Sequence, residues 1–81
     1  MPSTLIELVN VLLRGIADNE GFARELADMG EQFEVDGNHT AARRMRDLSR
    51  HHQVKAIEGR ARISVLANRY RQTSEDDHKS N

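Results

Sequence analysis

One cluster of turn-forming residues, Asp36-Gly37-Asn38-His39-Thr40, divides this chain into two arms of nearly equal length. Gly37 suits the left-handed stop that ends a helix. Asn38 or Thr40 suits the N-cap of the next one. On the first arm, Leu5, Leu8, Leu12, Phe22, Leu26, Met29 and Phe33 fit one heptad register, with Gly15 and Asn19 in its two weak slots. That register predicts one continuous helix over about 4–36, with Ser3 or Thr4 as its cap. A break at Asp18-Asn19-Glu20-Gly21 is the alternative, because those residues favour caps and turns. On the second arm, Ala41, Met45, Leu48, His52, Ala56, Gly59, Ile63, Leu66 and Tyr70 alternate spacings of three and four. They predict a turn at 37–39 and a helix over about 40–71. The hairpin then occupies residues 1–72, and 73–81 read as a disordered polar tail.

Pairing the arms about Gly37 brings Phe33 near Ala41 and Met45, Phe22 and Leu26 beside His52, Gly15 near Gly59, and Leu5 near Tyr70. The arms match in length to within a residue or two, each roughly 45–50 Å at 1.5 Å per residue. Charge favours the same pairing. Residues 1–37 hold eight acids and two bases, net −6, whereas 38–72 hold nine bases and two acids, net +7. An acidic helix beside a basic one attracts, although each exposed pair contributes little. The expected fold is all-α: an antiparallel hairpin of two long helices.

Composition narrows the class further. With 37% apolar and 4% aromatic residues, the chain is too apolar and periodic for a disordered segment. It is too poor in β-branched and aromatic runs for a sheet. Without cysteine there is no disulfide, thiol nucleophile or thiolate metal site, which points to a cytoplasmic home. Met1-Pro2-Ser3-Thr4 lacks the basic start of a typical signal peptide. The longest apolar stretch, 5–16, is broken by Glu7, Asn10, Arg14 and Gly15, too short and polar for a membrane span.

Two helices form one seam, and this sequence carries more apolar residues than one seam uses. Ile6, Val9, Leu13 and Ile16 lie beside the first stripe, and Val54, Ile57, Ala61 and Val65 form a second stripe opposite the second arm's seam. Left exposed, these eight would make a large apolar patch near the open end. They are expected to be an oligomer or partner interface, with a homodimer completing a four-helix bundle as the first expectation. A protein partner of unknown identity is also expected.

Polar residues in the pattern suggest other chemistry. His52 lies on the seam beside His51, and Asn19 faces the seam one or two turns away, near Ala56; a polar layer that fixes register is expected rather than a metal site. A metal site would want further His or carboxylate ligands at helical spacing beside His52. Gly15 and Gly59 fall opposite each other, and close helix approach would offset the roughly 1 kcal/mol each costs relative to alanine. Arg43, Arg46 and Arg50 form a basic face that could grip phosphates, although few aromatics accompany it and the net charge is −1. Ser49 and His52 sit one turn apart without an orienting acid or oxyanion hole, and no Gly-rich phosphate loop is present. The function expected from the sequence is a non-enzymatic protein–protein interaction module, a self-associating adaptor or regulatory protein without cofactor or metal. Nucleic-acid binding by the basic face is the alternative.

Overall fold

The computed structural model describes the backbone of Pro2–Lys79 and the side chains of residues 4–72. It consists of two helices, α1 (Pro2–Val35) and α2 (His39–Lys79), packed antiparallel into a rod of 68 × 18 × 11 Å. α1 is unbroken through Asp18–Gly21. It begins at Pro2 rather than after a Ser3 or Thr4 cap, because proline's fixed φ and missing amide suit a first helical position.

The turn is built from a few backbone bonds. Gly37 takes φ +83°, the left-handed region that an L side chain resists. Its amide donates to the Glu34 carbonyl at 3.1 Å, and the Asn38 amide donates to Phe33 at 2.8 Å. These two bonds satisfy carbonyls that the end of α1 leaves unpaired. Asn38 then caps α2, its Oδ1 accepting from the Ala41 amide at 3.2 Å.

α2 outruns the expected end at residue 71. Its backbone is helical to Lys79, so 73–79 do not form the disordered tail that their polarity suggested. After Gly59 no glycine or proline interrupts the chain, and backbone hydrogen bonds propagate where nothing blocks them. Residues 80 and 81 of that tail lie outside the described residues.

The seam between the helices differs from the expected one by one residue in every other slot. Leu5, Leu12, Asn19, Leu26 and Phe33 face α2, half-buried, as the heptad predicts. The alternate slot is filled by Val9, Ile16, Ala23 and Gly30 instead of Leu8, Gly15, Phe22 and Met29. On α2 the seam holds Ala42, Met45, Ser49, His52, Ala56, Gly59, Ile63 and Leu66. Ala41 and Leu48 are displaced to its side, and Tyr70 is exposed. The buried apolar core is therefore small: Ile16, Ala23, Ala42 and Ala56.

Size explains the shift. Small side chains at facing slots let two helices approach closely, and two contacts record how closely. The Ser49 hydroxyl, buried, donates to the Ala23 carbonyl of α1 at 2.7 Å. A Cβ built on Gly59 would lie 2.7 Å from Ile16 Cγ1. Gly59 is thus glycine for close packing, but its neighbour is Ile16, not Gly15, around which a Cβ would meet nothing within 4 Å. Val9 and Ile16, expected at a partner interface, belong to this internal seam.

Candidate functional site

The heptad geometry of the seam gives the hairpin two flanks of opposite character. On one flank, acids of α1 meet bases of α2. Arg60 donates to Glu20 at 2.7 Å, and Arg46 donates to Glu34 at 3.3 Å. Both pairs are largely exposed, so each contributes below about 1 kcal/mol. Toward the open end the same flank carries Ile6 and Leu13, both exposed.

The other flank has no such lacing in its turn half. Phe22 and Met29 of α1 occupy that half with Ala41 and Leu48 of α2, and Leu8 continues the row toward the open end. Phe22 is 51% exposed, Met29 47% and Leu48 41%. Its open half has Gly15 on α1 and Lys55 and Arg62 on α2, lining one shallow groove. Large apolar side chains stand here because the slot beside them, filled by Ala23 and Gly30, is what meets α2. A separate apolar stripe, Val54, Ile57, Ala61 and Val65, runs along the outer face of α2, exposed and opposite the seam.

The polar residues of the seam are arranged as a closed network. Asn19 Nδ2 donates to the Gly15 carbonyl at 2.9 Å, leaving Oδ1 as acceptor for His52 Nδ1 at 2.8 Å. His52 Nδ1 therefore carries a proton. Its ring also contacts Phe22 and His51, each at a centroid distance of 5.4 Å. No group of three or more His, Asp or Glu side chains stands together among the described residues as a metal site would. Ser49 donates its hydroxyl to Ala23 and accepts from Gln53 Nε2 at 3.3 Å, so its proton is aimed at a carbonyl and not at a base.

The basic residues are divided by the fold. Arg46 is held by Glu34, and a shallow groove lined by Asp28, Glu31, Arg46 and Arg50 sets acids of α1 beside two of the three candidate arginines. Arg43 is exposed.

The cross-helix bond of Ser49 and the Phe22 flank escape a ranking by hydrophobicity. The signal for both is the run of small residues Ala42, Ser49 and Ala56, seven apart, facing Ala23 and Gly30. No protein family, curated protein or solved structure matches the chain. Among the described residues no helix is long and apolar enough to cross a membrane.

Proposed function

We propose that this chain is a non-enzymatic protein–protein interaction module: a small helical adaptor or regulatory protein that self-associates into a four-helix bundle. The observation that carries the proposal is the thin seam. It is closed by alanine, glycine and serine, and it leaves Phe22, Met29, Leu48 and Leu8 outside. The accessible surface is 6539 Å², against roughly 4,900 Å² for a compact monomer of this mass. Burial of part of that excess is favourable by about 25 cal/mol per Å² of apolar area. The outer stripe of α2, with Val54, Ile57, Ala61 and Val65, together with Ile6 and Leu13, is left for a protein partner. The absence of cysteine fits a cytoplasmic setting.

Nucleic-acid binding through Arg43, Arg46 and Arg50 has less support, because Glu34 holds Arg46 and two more acids share the groove beside Arg50. Sedimentation equilibrium at micromolar concentration tests the main proposal. A dimer or higher oligomer is expected, and a compact monomer across the whole range refutes it. Retention on RNA at low salt, lost steeply as salt rises, would instead favour the basic face.

A further inference from the structure

We infer that the Phe22 flank is where two copies of this chain meet, with both turns at the same end and α1 of each copy lying across α2 of the other. This deepens the self-association proposed above and rests on it. The opposite flank is laced within the chain by Glu20–Arg60 and Glu34–Arg46, with Ile6 and Leu13 exposed on it toward the open end. The Phe22 flank has the reverse pattern: its turn half offers Phe22, Met29, Ala41 and Leu48, all apolar. Its open half pairs Leu8 and Gly15 of α1 with Lys55 and Arg62 of α2.

That uneven distribution selects the symmetry. Two hairpins can face each other through this flank about a two-fold axis along the rod or across it. An axis along the rod sets turn half on turn half, so Phe22 and Met29 meet Leu48 and Ala41 of the second copy. An axis across the rod sets Phe22 and Met29 over Gly15 and Leu8, and Lys55 and Arg62 over Leu48 and Ala41; with the axis along the rod Lys55 and Arg62 lie over Gly15 and Leu8, so only there do the larger apolar side chains Phe22, Met29 and Leu48 meet one another.

Area permits it as well. The surface in excess of a compact monomer is about 1,600 Å², twice the roughly 800 Å² that each partner contributes to a standard interface.

The test combines a distance with two substitutions. The chain has no cysteine, so Asp36→Cys creates one thiol, at the exposed turn, for a spin label. With the turns together, pulsed electron resonance should read a label separation under roughly 30 Å, a helix spacing plus two linkers. With the turns at opposite ends it should read about 50 Å, the length of α1 at 1.5 Å per residue. Phe22→Glu should weaken the dimer at least tenfold by sedimentation with helicity retained, and Ile57→Glu should leave it unchanged. A 50 Å separation overturns the arrangement. So does a dimer that survives Phe22→Glu and dissociates with Ile57→Glu. In both cases self-association itself stands. A wild-type chain that stays monomeric removes both the geometry and the self-association beneath it.

Discussion

Alanine should stabilise the chain at one glycine, Gly15, and bring no such gain at another, Gly59. Gly15 and Gly59 both lie inside helices, so replacing either by alanine gains about 1 kcal/mol of helix propensity. Around Gly15 a Cβ meets nothing within 4 Å, and that gain should appear in full. At Gly59 the new Cβ falls 2.7 Å from Ile16 Cγ1 and 3.3 Å from Cδ1. The first distance is roughly 1 Å inside the ordinary carbon–carbon separation of about 3.5–4.0 Å. Cγ1 is next to the branch point of a stiff side chain, and Ile16 is buried, so the relief must come from a backbone shift or a strained rotamer. Overpacking of this kind costs about 1–3 kcal/mol. The propensity gain is common to both variants and cancels between them. Gly15→Ala should therefore be more stable than Gly59→Ala by about 1–3 kcal/mol. Urea unfolding followed by far-ultraviolet circular dichroism measures this, at one fixed chain concentration because association would add to apparent stability. Two variants within about 0.5 kcal/mol of each other would refute the close approach of the helices at Ile16.

Other substitutions probe separate parts of the hairpin. Ser49→Ala removes the bond to the Ala23 carbonyl and should cost about 0.5–1.5 kcal/mol in urea, with Ser49→Val costing more because it also overpacks the seam. Asn19→Ala leaves the half-buried His52 donor without its acceptor and should cost about 1–3 kcal/mol by the same measurement. Gly37→Ala forces an alanine into the left-handed region and should cost about 1–2 kcal/mol, whereas Gly37→Asn should cost less. Glu20→Gln breaks the exposed pair with Arg60 and should cost under about 1 kcal/mol at low salt. That difference should vanish in molar salt.

The hairpin could be read from the sequence because its punctuation is local. Gly37 and Asn38 supply the stop and the cap, and no residue between 3 and 35 breaks α1. Asn19 and His52 could also be placed on the seam, since one heptad slot is shared by the expected and observed seams, but the expected register set Asn19 near Ala56 and not in direct contact with His52. The other slot was not legible by hydrophobicity. Leu8, Phe22 and Met29 outrank Val9, Ala23 and Gly30 as apolar residues, yet the smaller set faces α2. Helix separation decides that competition, and separation depends on both helices together. Ala42, Ser49, Ala56 and Gly59 are poor core residues one at a time. Opposite Ala23, Gly30 and Ile16 they permit a close seam that Phe22 and Met29 would hold apart. The end of α2 was misjudged for a different reason. Polarity weakens the case for a packed element, yet a helical backbone can continue through polar residues when no glycine or proline interrupts it.

A turn near the middle of the chain also orders the hairpin in time. The bond between Arg46 and Glu34 spans 12 residues, that between Ser49 and Ala23 spans 26, that between His52 and Asn19 spans 33, and that between Arg60 and Glu20 spans 40. Each contact, once made, shortens the loop that the next must close, so closure proceeds cheaply outward from Gly37. Opening follows the reverse course, from Leu5 and Leu66 inward. Amide exchange should be slowest around Ala23 and Ser49 and quicken toward the free end. The part of the chain richest in leucine, isoleucine and valine, residues 5–16, is therefore fastened last and released first.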